Sequence, residues 1–184
     1  STNVAGPRSG LDDTIPASNP PEGETPVPAS PGVDRYRLGA ELGRGGMGRV
    51  VEAFDTQLGR TVAFKEVLPN AAAGLARRFR REVEITARLE HAGIVPLYDA
   101  GPTADGRPFY VMRRVTGQPF DQLIGKTRTL AERMAMLPNL LSACEAIGHA
   151  HQRGVIHRDL KPANILVAEL GETVVIDWGL AKVI

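Results

Sequence analysis

Gly43-Arg44-Gly45-Gly46-Met47-Gly48 matches the pattern G-x-G-x-x-G, and Lys65 stands seventeen residues beyond its last glycine. Glycines let backbone N–H groups approach phosphate oxygens with no Cβ in the way. The element just after the glycines separates two chemistries. A dinucleotide-binding fold needs a helix there, its N-terminus facing the pyrophosphate. Here Arg49-Val50-Val51-Glu52-Ala53-Phe54 reads as a strand instead. That disfavours NAD and fits a glycine-rich hairpin laid over nucleotide phosphates. No G-K-[ST] comes after it, which excludes a Walker loop.

Lys65 lies in Val62-Ala63-Phe64-Lys65, where strand alternation puts Ala63 and Lys65 on one face and Val62 and Phe64 on the other. Two readings stand level from this segment alone: a lysine reaching the α- and β-phosphates, or a strand-end lysine in solvent. The next amphipathic stretch shifts the balance. Leu75, Phe79, Val83, Thr86 and Leu89 share one arc of a helix, and Arg77, Arg80, Arg81, Glu84 and Arg88 fall opposite. Glu82 lies within the apolar arc. A carboxylate facing a core needs a partner to offset its desolvation, and Lys65 is the candidate.

The elements that must position these groups can be read from periodicity and breakers. Strands are expected at Tyr36–Leu42, Val50–Phe54 and Thr61–Val67, with a turn at Leu58-Gly59-Arg60. A helix over Gly74–Glu90 comes next. Strands at Val95–Ala100 and Phe109–Val115 flank the turn-rich Gly101–Pro108. A long helix is expected over Ala131–Arg153, with Pro138 either kinking it or marking its effective start. Short strands at Ile165–Val167 and Val174–Ile176 end the series. The order predicts an α+β body.

His157-Arg158-Asp159-Leu160-Lys161-Pro162-Ala163-Asn164 is the most informative segment, with Asp177-Trp178-Gly179 beginning thirteen residues after Asn164. With the glycine loop, Lys65 and Glu82, these make five motifs in order and with suitable gaps. From Tyr36 to Ile184 the chain resembles a bacterial Hanks-type serine/threonine protein kinase. The resemblance implies a bilobal fold. Its N-lobe, about 35–115, would be a complete five-stranded antiparallel sheet plus one helix, and 116–184 would be the first part of a helical C-lobe.

The resemblance also implies roles. ATP and Mg²⁺ are the expected cofactors, and a protein Ser/Thr hydroxyl the acceptor. Phosphoryl transfer depends mainly on positioning and on neutralising phosphate charge. Asp159 would accept or orient the hydroxyl proton, and Lys161 would bring positive charge to the γ-phosphoryl. Asn164 and Asp177 are hard oxygen ligands for Mg²⁺. Lys65 and Glu82 would form the ion pair of the active arrangement. Gly43, Gly45, Gly46 and Gly48 would cover the phosphates. The base would sit against Leu42, Val50, Ala63 and Leu166, with Met112 as gatekeeper and Arg113-Arg114-Val115 as the hinge. Lys161, in place of the Ala-Ala-Arg pattern of tyrosine kinases, points to Ser/Thr substrates. Arg158 before Asp159 resembles kinases in which an activation-loop phosphate pairs with that arginine. His157 is expected to be structural, and Cys144 a buried core residue.

Three departures stand out. Trp178 replaces the family's usual Phe, and Arg113 stands where an acidic residue is common, which should alter the cleft rim. The match also stops just past the metal-binding turn, without activation loop or A-P-E motif. Residues 1–184 alone are therefore expected to be inactive, with Leu137, Leu140, Leu141 and Ile147 missing the later helices they would pack on. The alternative function is a nucleotide-binding scaffold without phosphoryl transfer.

The remaining composition bounds the setting. Seven of 14 prolines lie in 1–34, which has no aromatic residue and a charge balance of −4, leaving +5 for 35–184. Such a segment is expected to be a disordered arm. A net charge of +1 offers no electrostatic case for nucleic acid or a membrane surface. The single cysteine, the lack of zinc spacing and the absence of a bilayer-length apolar run fit a reduced, cytoplasmic setting, with anchoring elsewhere in a longer protein left open.

Overall fold

The computed structural model describes residues 33–46, 48–69 and 73–184, so the expected arm falls almost wholly outside the described residues. The upper lobe is a five-stranded antiparallel sheet in the order β1-β2-β3-β5-β4. Its strands are β1 (Tyr36–Gly45), β2 (Gly48–Asp55), β3 (Arg60–Glu66), β4 (Leu97–Pro102) and β5 (Pro108–Arg113). The helix α1 (Ala73–Thr86) crosses between β3 and β4. The lower part begins with β6 (Gly117–Pro119), α2 (Phe120–Lys126), α3 (Leu130–Met134), α4 (Leu137–Gln152) and β7 (Val155–Ile156). It ends with β8 (Ile165–Ala168), β9 (Thr173–Val175) and β10 (Lys182–Val183). β6, β8 and β9 form one small sheet, β7 and β10 another. No helix among the described residues is long and apolar enough to cross a membrane.

Period-2 alternation divides β3 as expected. Val62 and Phe64 are fully buried with Tyr36, Val51, Ala53, Phe109 and Val111 on one face, where the Phe64 and Phe109 rings stack at 4.7 Å. Lys65 points to the opposite face, the one α1 covers. A helix of this length is marginal alone. Burying Phe79 against Val67 and Tyr110 contributes on the order of 2–3 kcal/mol and holds it to the sheet. That contact carries Glu82 to Lys65.

The last turn of α1 and the segment after it belong to the other core. Ile85, Leu89 and Ile94 pack with Phe120, Ala143, Ala146, Ala150, Val175 and Trp178. The Val175 N–H donates to the Gly93 carbonyl at 2.8 Å, and Ile94 forms a parallel bridge with Val175. This seam ties the two lobes at the back.

Several boundaries differ from expectation for identifiable reasons. α1 ends at Thr86, and Leu89 is buried from the turn beyond it. The stretch over 131–153 is two helices. Thr129 and Glu132 form a reciprocal cap that starts α3, and Pro138 occupies the first turn of α4, where a missing N–H costs nothing. Pro138 therefore marks a start and not a kink. α4 turns its small residues Ala143, Ala146 and Ala150 inward, which leaves Cys144 exposed and corrects its assignment to the core. Leu137, Leu140 and Leu141 are exposed on that helix as expected, but Ile147 packs against the core.

Candidate active site

The glycines of the β1–β2 hairpin do two different jobs. A Cβ built on Gly43, Gly45 or Gly46 meets nothing within 4 Å, so these positions leave open space over the cleft. A Cβ on Gly48 would lie 2.1 Å from the Glu66 carbonyl oxygen. Gly48 is there because β2 passes too close to β3 for any side chain.

Below the hairpin, Lys65 Nζ lies 2.7 Å from Glu82 Oε1 and 3.7 Å from Asp177 Oδ1. The register sets Tyr110 opposite Lys65, and its hydroxyl donates to the same Glu82 oxygen at 2.9 Å. Glu82 is 2% exposed, and these two donors offset the burial of Oε1 while Oε2 is buried with no hydrogen-bond partner among the described residues. Burial, followed by the charge of Glu82 and the hydrogen bond to it, pushes the Tyr110 hydroxyl well above its ordinary range. The sequence singled out the Lys65–Glu82 pair but not Tyr110, whose role depends on cross-strand register.

On the lower side, Asp159 is held from three directions. Lys161 Nζ donates to its Oδ2 at 2.8 Å, the Asn164 amide to the same oxygen at 3.0 Å, and its own N–H donates to His157 Nδ1 at 3.3 Å. The Lys161 hydrogen bond is the main cause that sets the Asp159 carboxyl below the usual carboxylate range. His157 Nε2 lies 3.1 Å from the Ile176 carbonyl. Because Nδ1 accepts, the proton sits on Nε2 and the ring is the neutral tautomer. Desolvation depresses the imidazole's pKa, in keeping with that state. Its ring also packs on Trp178 at 4.6 Å, so the enlarged side chain after Asp177 is a buried floor beneath the site.

Two backbone positions carry a feature invisible in the sequence. Arg158 and Asp177 are the only non-glycine residues with positive φ among the described residues, at 66° and 61°. Each such conformation costs on the order of 1–3 kcal/mol and persists only where surroundings enforce it. The Arg158 Nε bond to the Leu180 carbonyl at 2.6 Å and the Ile176 N–H bond to the Asn164 backbone carbonyl at 2.9 Å do so here.

Two adjoining cavities result, sharing Gly43, Val50, Ala163 and Ile176. The outer, about 430 Å³, is lined by Leu42, Ala63, Val115 and Leu166, and by the side of the Arg113-Arg114-Val115 connection. The inner, about 530 Å³, brings together Gly43, Gly45, Gly46, Gly48, Lys65, Asp159, Asn164 and Asp177. Met112 lines neither cavity. It faces Ala63 across the strands and packs on the Phe79–Tyr110 cluster. Arg78, Ala163 and Ile176 were not expected. Arg78 stands one turn before Glu82, a spacing that could have flagged it.

A triphosphate and a hard cation fit this arrangement. The glycine positions leave a cradle a Cβ would fill. The Asn164 amide nitrogen is bound to Asp159, while its side-chain oxygen has no hydrogen bond among the described residues. The Asp177 side chain is 44% exposed to the cleft. Beside the inner cavity, Arg78, Arg81 and Arg158 line a smaller recess of about 220 Å³ together with Glu82, Trp178 and Leu180. None of the three has a carboxylate partner among the described residues.

A model of the protein kinase domain family matches residues 36–184. The chain is 34% identical over 164 residues to the serine/threonine-protein kinase PknD of Protochlamydia amoebophila, covering 82% of this chain and 17% of that protein. It is 38% identical over 169 residues to the probable serine/threonine-protein kinase PknB of Bifidobacterium longum, covering 86% and 24%. Over 156 residues it is 39% identical to the serine/threonine-protein kinase PknA of Mycobacterium tuberculosis, covering 82% and 36%. The chain thus spans between about a sixth and about a third of the length of these relatives.

Proposed function

The chain belongs to the protein kinase domain family, and from that premise we propose that the protein transfers the γ-phosphoryl group of ATP to serine or threonine hydroxyls of protein substrates. The observation that carries this reading is the convergence of Lys65, Asp159, Asn164 and Asp177 on one cavity beneath the glycine hairpin. In the transfer, the bond from the γ-phosphorus to its bridging oxygen breaks and one to the hydroxyl oxygen forms, while the hydroxyl proton leaves toward Asp159.

Each residue takes its part from its surroundings. Lys161 and Asn164 aim one Asp159 oxygen and keep it anionic, and His157 holds its backbone. Glu82 and Tyr110 hold Lys65 so that its ammonium projects into the inner cavity. Asn164 and Asp177 would hold Mg²⁺, which when bound offsets charge on the phosphate oxygens. The outer cavity, apolar on both faces, suits the base. Lys161 favours Ser/Thr acceptors, and the PknD, PknB and PknA relatives carry that specificity in their names. Arg78, Arg81 and Arg158 outnumber the Glu82 carboxylate, itself engaged by Lys65 and Tyr110, in a recess suited to a phosphorylated residue, which would place regulation by phosphorylation beside α1. The proposed location is the cytoplasm, where ATP is available.

The test is radiolabelled-phosphate transfer by the full reading frame, compared with Asp159→Asn, with phosphoamino-acid analysis of the product. Phosphoserine or phosphothreonine from the wild type and none from the variant is expected. Equal transfer by both removes Asp159 from its role, and no transfer with intact nucleotide binding favours a scaffold. Residues 1–184 expressed alone are expected to associate and transfer nothing, because Leu137, Leu140 and Leu141 face solvent. A monomer with a clean two-state melt and measurable transfer overturns that expectation.

A further inference from the structure

Arg113 and Arg114 stand next to each other in the connection between the lobes, and their side chains leave in opposite directions. Arg113 closes β5: its N–H donates to the Pro96 carbonyl at 3.2 Å, and it pairs with Val62. Its guanidinium reaches into the other lobe and grips Glu172 with two bonds, Nη1 to Oε2 at 3.1 Å and Nη2 to Oε1 at 2.7 Å. Arg114 turns back to the upper sheet, with Nε 2.7 Å from Glu52 Oε2 on β2. The backbone between these anchors borders the outer cavity.

Glu172 sits in the turn that launches β9, where its carbonyl accepts from the Ala168 N–H at 2.7 Å. β9 ends at Val175, and the chain continues directly into Ile176, which lines both cavities, and Asp177. The residue just before this short strand is therefore gripped by the hinge, and the segment just after it carries the proposed metal ligand.

Resting on the kinase reading, we propose that the Arg113–Glu172 pair is an inter-lobe latch that sets the opening of the cleft at its adenine end, so that Arg113 is a positioning residue for nucleotide binding. The planar fork of arginine suits this better than a point charge, since two parallel bonds fix an angle as well as a distance. The pair is part-exposed, at 31% and 41% for the two side chains. Such pairs bias an equilibrium modestly and weaken with salt. Loss of the latch lowers the fraction of molecules with a competent cleft, and apparent nucleotide affinity falls by that fraction. The fold survives, because the Gly93–Val175 seam joins the lobes through backbone bonds independent of it.

The test titrates Mg²⁺·AMP-PNP into the full-length protein by calorimetry, with Lys65→Met as a control for nucleotide contact. Arg113→Ala and Glu172→Gln are each expected to raise Kd about two- to fivefold. The double variant should do no more than either single one. The reversed pair, Arg113→Glu with Glu172→Arg, should return Kd toward wild type, and the differences should vanish in 1 M NaCl. In turnover, Glu172→Gln should raise the KM for ATP without lowering kcat. An unchanged Kd in either single variant, additive losses in the double one, or a kcat effect without a KM effect overturns the latch. Absence of nucleotide binding by the wild type overturns the kinase reading itself, a result distinct from these.

Discussion

Lys161 donates to Asp159 Oδ2 at 2.8 Å, and the Asn164 amide meets the same oxygen from 3.0 Å, so one carboxylate oxygen is doubly bound while Oδ1 has no hydrogen bond among the described residues. Lys161 is the main cause of the lowered Asp159 pKa. A depressed carboxyl is ionised at neutral pH and loses its charge only as pH falls through its folded value. Lys161→Met is therefore expected to move the Asp159 titration upward, toward the ordinary carboxylate range near 4. Carboxyl-carbon NMR of labelled aspartate would track it. An unmoved titration would mean that Lys161 does not control this group.

Lys65→Met should separate stability from catalysis. The substitution leaves Glu82 buried with Tyr110 as its remaining donor, a loss of about 3 kcal/mol for a broken buried pair. Adding Glu82→Gln removes the stranded charge while keeping an acceptor for Tyr110. Urea melts should then recover most of the loss, whereas phosphate transfer should stay absent in both variants. Recovery of transfer in the double variant would remove Lys65 from the phosphate site.

The loop glycines should divide under substitution. Gly48→Ala forces a methyl group to 2.1 Å from the Glu66 carbonyl and should destabilise the β2–β3 pairing, seen as a lowered Tm. Gly46→Ala meets nothing within 4 Å and should melt like the wild type. Its loss should instead be in nucleotide affinity, measured by calorimetry.

His157 ties stability to acid. Its imidazole is buried and neutral, with a folded pKa depressed by desolvation below the unfolded one. The unfolded state thus binds the proton first. Stability attributable to this ring is present above about pH 6.5 and falls as pH drops through that value toward the folded pKa, by at most about 1.4 kcal/mol per pH unit. Chemical denaturation between pH 7.5 and 5 should show a steeper decline in the wild type than in His157→Gln. Parallel profiles would contradict the assignment.

The glycine hairpin, the strand bearing Lys65 and the inward Glu82 were legible because each rests on local rules: alternation on a strand, an arc on a helix, breakers between them. The register between strands was not. It placed Tyr110 beside Lys65 and set β2 so close to β3 that Gly48 had to lack a side chain. Nor was the setting of Met112, the expected gatekeeper: register pairs it with Ala63 at the outer cavity, while the seating of α1 on the sheet packs it against the Phe79–Tyr110 cluster. Cys144 failed for the same kind of reason, as apolar character does not say which arc of α4 turns inward.

By itself the sequence determined the chemical inventory: a lysine, an inward glutamate, and aspartates and an asparagine at spacings that a phosphate site can use. Which of these meet was decided by tertiary packing. The left-handed backbone at Arg158 and Asp177, the three-way hold on Asp159, and the opposed reach of Arg113 and Arg114 depend on contacts that local sequence does not specify. The physical reason is range. Propensity and periodicity act over a few residues, whereas a strained φ or an ion pair between lobes persists only when distant segments are already packed to enforce it.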